Sequence, residues 1–205
     1  MLSVRSRIPM PADPEIENIR QDAWDKALFS FGYSFLYQRR YRIYRRWLRI
    51  LLFVGLGVPM LVGALAMAFG VEKWVIVVAS IVGIIQLMLN LFAVIQKLDD
   101  EVVYSQKAAS EHSFLSDAFK QLGQNPPATK IKVRHEYELL QTRLASIDAT
   151  DKEHGLTPKE LRRAHRAGHR EFRRECVACN TVPTDMKSVN CGVCGRFGFF
   201  NKQHT

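Results

Sequence analysis

No cysteine occurs in the first 175 residues of this chain; all four stand at positions 176, 179, 191 and 194. That excludes a disulfide framework spread through a small secreted domain. Ionisable residues are missing from two long stretches, 50–69 and 74–95, which run for twenty and twenty-two residues. Acid is missing from residues 39–49, where six arginines stand at 39, 40, 42, 45, 46 and 49. Glycine and proline are missing from residues 97–122, so nothing there breaks a helix by composition. Also missing are paired carboxylates, a nucleophile–base set and a glycine-rich phosphate loop, so no enzyme activity is expected.

What is present divides sharply. The chain is basic, with 29 Lys and Arg against 20 Asp and Glu. A helix rises about 1.5 Å per residue, so each uncharged stretch covers the roughly 30 Å hydrocarbon layer of a bilayer. Only Gly70, Val71, Glu72 and Lys73 separate the stretches, which predicts a tight antiparallel hairpin spanning about 47–69 and 74–95. Both of its flanks then face one compartment. The six arginines before the first stretch, against one lysine in the loop, predict that both termini are cytoplasmic. Trp47 and Trp74 stand where interfacial anchors belong. A polar, charged segment of more than forty residues precedes the first stretch, which argues against a signal peptide.

Polar residues inside the hairpin are few. Gln86 and Asn90 are four apart and share a helical face with Gly83. Amides in hydrocarbon need partners, so they either join helices or line a water-filled lumen. Pro59 removes one backbone donor and frees the carbonyl near Gly55, which permits a kink or a hinge.

Outside the hairpin, residues 1–13 look unstructured. Asp13 and Pro14 suit a helix start. From there Ile16, Ile19, Ala23, Trp24, Ala27, Leu28, Phe31 and Phe35 keep one helical face apolar, to pack on another helix or a neighbouring protomer. This helix runs on through the arginines, and the second span is expected to continue without interruption to residue 122, making 14–122 one helical region. The linker 123–129 contains Pro126 and Pro127. Residues 130–150 then form a bundle helix seamed by Val133, Tyr137, Leu140, Leu144 and Ile147.

The region 157–205 opens on a capping box, Thr157 to Glu160, with Pro158 in the first turn. The helix that follows carries Arg162, Arg163, Arg166, Arg170, Arg173 and Arg174. These arginines are either a grip for the phosphates of nucleic acid or lipid headgroups, or a solvated, acid-paired face. With so few apolar residues, the helix is expected to bury little. Cys176, Cys179, Cys191 and Cys194 form two C-x-x-C knuckles with eleven residues between them, the spacing of a four-thiolate structural Zn2+ site in a reducing compartment. Gly192 and Gly195 suit the sharp turns around sulfur, and the spacer suits a small hairpin, giving a zinc ribbon. His165, His169 and His204 are near in sequence and are not needed as ligands. Phe197, Phe199 and Phe200 fit packing within the ribbon.

Two resemblances follow from these motifs. The "RRYRIYRRWLRI" entry into a two-span hairpin, with a long helix after it, resembles the SLATT family of two-transmembrane effectors over residues 14 to about 150. That resemblance implies action in bacterial conflict systems, by homo-oligomerisation into pores that depolarise the cell once a sensor fires. Many SLATT proteins work beside nucleotide-signal synthases or nucleotide-binding sensors. Here a zinc ribbon holds the sensor's place, leaving a nucleotide signal, nucleic acid or a neighbouring-gene sensor protein as the trigger. The terminal spacing is similar to that of mobile-element proteins named for C-x2-C-x11-C-x2-C. The expected fold class is an all-α membrane protein: a two-transmembrane hairpin with extended cytosolic helices and a small C-terminal zinc ribbon. The expected site is the bacterial inner membrane, crossed more than once. The expected function is a pore-forming effector of anti-phage or mobile-element defence, with a membrane-tethered adaptor that lacks conductance as the alternative.

Overall fold

Five helices make up the structure, a computed structural model that describes residues 13–69, 73–95 and 97–197. In chain order they are α1 (Pro14–Phe69), α2 (Lys73–Ile95), α3 (Leu98–Gln124), α4 (Lys130–Glu153) and α5 (Pro158–Glu171). Most of the Gly70–Lys73 loop, the first twelve residues, Phe199, Phe200 and His204 lie outside the described residues. The chain divides into two compact units. One combines the chain up to Leu36 with the chain from Ala108 onward, and the other is Tyr37–Lys107.

The first unit is a helical bundle. Asp13 Oδ1 accepts from the backbone N–H of Glu15 at 3.0 Å and starts α1. The apolar face of α1 turns inward: Ala23, Ala27 and Leu28 are buried there, and Leu115, Phe119 and Leu122 of α3 and Val133 of α4 are buried in the same unit. Around the core of Ala23, Ala27, Leu115, Phe119, Leu122 and Val133 pack Ile19, Tyr137, Leu140, Leu144, Ile147 and Phe172. The predicted seam of α4 is therefore its packed face. Serines tie α1 to α3: Ser34 donates to the Ala109 carbonyl at 3.0 Å and Ser116 to the Ala27 carbonyl at 2.9 Å. Trp24 and Phe31 of α1 both meet the Phe172 ring edge-on, at 6.1 Å between centroids.

Helix α5 is docked, contrary to the expectation that it buries little. The capping box forms, with the Thr157 side chain accepting from the Glu160 N–H and the Glu160 carboxylate accepting from the Thr157 N–H. Ala164, Ala167 and Gly168 are buried. A Cβ on Gly32 would lie 2.5 Å from the Ala164 carbonyl oxygen, and one on Gly168 would lie 2.6 Å from the Leu28 carbonyl oxygen. Small residues thus let the backbones of α1 and α5 touch twice, one helical turn apart. A scale of side-chain hydrophobicity is blind to burial achieved this way.

The second unit holds the later part of α1, all of α2 and the first turns of α3. Helix α1 is continuous through Pro59. Helices α1 and α2 each contain a window long and apolar enough to cross a membrane, and neither window is buried inside the structure. The uninterrupted continuation of the second span does not occur. Lys97 adopts the left-handed conformation, with φ of 46°, and α3 begins anew at Leu98. The Lys97 carbonyl accepts the Glu101 N–H at 3.1 Å, and Asp99, Asp100 and Glu101 fill the first turn of α3. Acids there complement the positive end of the helix dipole, so the new start is stabilised where no glycine or proline marks it. The boundaries shift in smaller ways too: α3 passes through Gly123 to Gln124, and α4 reaches Glu153.

Candidate metal centre

After α5 the chain leaves helix through Arg173, whose φ is 50°. The N–H of Arg174 bonds the His169 carbonyl at 3.0 Å, which closes the helix end and delivers the first cysteine pair. From 172 to 197 the described residues contain turns and bends but no strand, so the expected β-hairpin ribbon is not formed. Eleven residues that fold around their own cysteines have little need of a ladder. Hydrogen bonds from the knuckles to the spacer take its place: Cys176 N–H to the Thr181 carbonyl, Asn180 N–H to the Cys176 carbonyl, and both Cys191 N–H and Arg196 N–H to the Val189 carbonyl.

The four sulfurs converge. Cys176 Sγ and Cys191 Sγ are 3.9 Å apart, Cys179 Sγ and Cys194 Sγ are 3.8 Å apart, and all four lie within 4.8 Å of one another. Four thiolates about 2.3 Å from a tetrahedral zinc would be separated by about 3.8 Å. The spacing therefore fits zinc, with all four positions filled by the chain and none left open. Cys176, Cys191 and Cys194 are buried. Two N–H groups, from Val193 and Cys194, point at Cys191 Sγ at 3.4 and 3.5 Å. The Cys194 N–H, opposed by burial and assisted by the Val193 N–H, holds the Cys191 thiol down to about 7. Burial, then the adjoining Cys176 sulfur, pushes the Cys194 thiol up.

The knuckle glycines differ from expectation. A Cβ on Gly192 would meet nothing within 4 Å, whereas one on Gly195 would sit 2.0 Å from the Val189 carbonyl oxygen. Gly195 is required for close approach of the backbone, and Gly192 is not. Phe197 is buried, its backbone N–H donates to Ser188 Oγ at 2.9 Å, and its ring lies under the Arg163 guanidinium at 5.2 Å. His165 packs edge-on to Phe29 at 5.5 Å, and His169 is buried; neither belongs to the sulfur group. Burial lowers the pKa of both imidazoles.

The arginines of this region separate by role. Arg166 is buried and faces the cysteine module: its Nε donates to the Asp185 carbonyl at 2.8 Å and its Nη2 to Asp185 Oδ1 at 3.1 Å. Its Nη1 reaches the Cys194 carbonyl at 3.4 Å and Cys194 Sγ at 3.8 Å. Arg174 pairs with Asp25 of α1. Three of the six candidate anion contacts, Arg163, Arg166 and Arg174, are thus engaged within the chain. Arg162 and Arg170 are half-buried and Arg173 is exposed.

The polar set of the hairpin also separates. Gln86 Nε2 donates to the Gly55 carbonyl at 2.7 Å, the group four residues before Pro59 that the missing proline N–H leaves without its helical donor. Proline and glutamine are thus two halves of one contact between α1 and α2. Asn90 and Gly83 remain exposed.

Over residues 20–197 the chain matches the family described as mobilome CxxCx(11)CxxC protein. The chain belongs to that family. Its match takes in the helices as well as the cysteines. Neither a curated protein nor a solved structure matches the chain. The likeness to SLATT effectors gains no support from these matches.

Sequence reasoning missed two arrangements. One is the contact of Gly32 and Gly168 with the opposing backbone, signalled only by the small-residue spacing Ala164-x-x-x-Gly168. The other is a group of His112, Asp148 and Asp151 inside the bundle. His112 falls in register with Ala109, Leu115 and Phe119 on the buried side of α3, a position where a polar residue invites a question.

Proposed function

We propose that the protein is a bacterial inner-membrane effector of a mobile element, or of defence against one, whose hairpins associate and permeabilise the bilayer on activation. The observation that carries this reading is the exposure of both apolar helices with the Asn90 amide among them. Such surface is stable only against lipid or further copies, and an amide in hydrocarbon finds its partner on another helix or in water. Six arginines ahead of the first span support an orientation with both termini in the cytoplasm, where the cysteines would stay reduced and able to hold Zn2+. The metal centre then serves as a structural recognition end for a nucleic acid, a nucleotide signal or a sensor protein.

One observation favours the alternative of a membrane-tethered adaptor without conductance: Gln86 is spent inside the hairpin and is not available to line a lumen. Expression in bacteria with a potential-sensitive dye separates the two readings. The effector reading expects depolarisation by the natural chain, and its loss in Asn90→Leu with insertion unchanged. A membrane potential that stays constant at full expression, with a binding partner recovered on the soluble side, gives the adaptor.

A further inference from the structure

A second cluster of ligating side chains lies in the bundle, apart from the cysteines. His112 comes from α3, and Asp148 and Asp151 come from α4. His112 Nε2 and Asp151 Oδ2 are 2.8 Å apart, with side chains 1% and 5% exposed. One donor atom from each of the three residues lies within 4.8 Å of the others. Aspartates three apart on a helix project from one face, so α4 presents both carboxylates to the imidazole. The Tyr33 ring of α1 stacks on His112, 5.2 Å between centroids and 27° from parallel, and closes the group on that side.

Two carboxylates in a bundle interior need compensation. Burial raises the pKa of Asp148, and after the opposing effect of His112 the neighbouring Asp151 raises it further. Lys152 and Lys26 act on Asp148 only through space. Tyr33 is raised as well, by burial and then by Asp148 and Asp151. The group thus sets two carboxylates beside one imidazole behind an aromatic lid. A divalent cation bound to two carboxylates and a neutral imidazole would be neutral overall, and helical bundles build metal sites in this manner from facing helices.

We propose that His112, Asp148 and Asp151 form a second metal site, for a divalent first-row cation of the manganese or iron kind, that clamps α3 to α4. The donor set of one nitrogen and two oxygens suits such ions, whereas the four thiolates select zinc. The two centres therefore take different metals. On binding, His112 Nε2 turns its lone pair to the cation and the proton of the neutral ring sits on Nδ1, so Asp151 exchanges its contact with the ring for one with the metal. This site does not depend on the effector reading, because it belongs to the bundle and not to the hairpin.

The test uses the full-length chain in detergent with its cysteine centre loaded with zinc, titrated with Mn2+ and followed by the electron spin resonance of free Mn2+. The expected result is one Mn2+ held per chain. Asp148→Asn, at a half-buried and nearly isosteric position, should weaken binding by about tenfold or more with unchanged helical circular dichroism. Glu111→Gln, which removes a half-buried α3 acid paired with Arg143, should bind as the natural chain does. Absence of saturable Mn2+ binding overturns the proposal and leaves His112 and Asp151 as a structural hydrogen-bonded pair. Equal affinity in the natural chain and Asp148→Asn, or equal losses in both variants, overturns it too. If Asp148→Asn proves unfolded, Mn2+ should still raise the melting temperature of the natural chain, and no rise overturns the proposal.

Discussion

Arg166 illustrates how far a side chain's role depends on what stands opposite it. Six arginines over thirteen residues look like a surface for anions, yet Arg166 is buried against the carbonyl of Cys194 and the carboxylate and carbonyl of Asp185. Asp185 in turn is held below the ordinary carboxylate range, first by the Lys187 N–H and then by Arg166. A planar guanidinium suits this task because it satisfies three acceptors at once. Outer partners of metal ligands commonly govern affinity by roughly 10- to 100-fold. Arg166→Ala should therefore weaken zinc retention by about that factor, read by competition with a chromophoric chelator. Arg170→Glu with Arg173→Glu should leave zinc retention unaltered, and equal loss in both variants would assign the effect to net charge. The convergence of the four cysteines was legible from spacing alone, because a C-x-x-C pair brings two sulfurs together locally. Arg166 was not, because its partners lie nineteen and twenty-eight residues away in the chain.

At the scale of elements, pattern and chemistry predict unequally. The start of α1, the seam of α4 and the capping box of α5 were readable because each depends on residues within one or two turns. The break at Lys97 is announced by no glycine or proline; the acidic triplet 99–101 is its local signal, as a helix-start composition. The pairing of Gln86 with the carbonyl released by Pro59 was half visible: each residue pointed to an unmet need, and the fold joins them. The docking of α5 is the least legible, since it consists of absent side chains. Adding a methyl at Gly32 or Gly168 puts carbon within 2.5 or 2.6 Å of a backbone oxygen, which cannot move as a flexible side chain would. Overpacking of this kind costs about 1–3 kcal/mol. Gly32→Ala and Gly168→Ala should each lower the melting temperature of the bundle by several degrees, whereas Gly192→Ala, in open space, should not. Calorimetry on the three variants checks this, and an undisturbed Gly168→Ala would mean that the helices sit further apart in solution.

For the whole molecule, the arginine band, the apolar hairpin and the thiol centre constrain one another. A zinc site of four thiolates needs a reducing compartment, and the cysteines lie beyond the second apolar helix, on the same side as the arginines when both helices cross. On the proposed reading, charge and redox chemistry favour the same orientation for independent reasons. Reversal would expose six arginines and the four thiols together to the oxidising side. A cysteine introduced at Val71, between the two apolar helices, should react from outside intact cells with a thiol reagent that does not cross the membrane. On the proposed reading the native cysteines hold zinc and face the cytoplasm, and should react only after permeabilisation and chelation. Replacing Arg39, Arg40, Arg42, Arg45, Arg46 and Arg49 by glutamine removes the charge that sets orientation. A part of the population should then invert, with Val71→Cys protected, the terminal thiols accessible and the zinc content of the chain reduced in proportion. Protection of Val71→Cys in cells carrying the natural arginines would overturn the orientation, and labelling with no change in zinc content after the glutamine replacements would uncouple the metal centre from it.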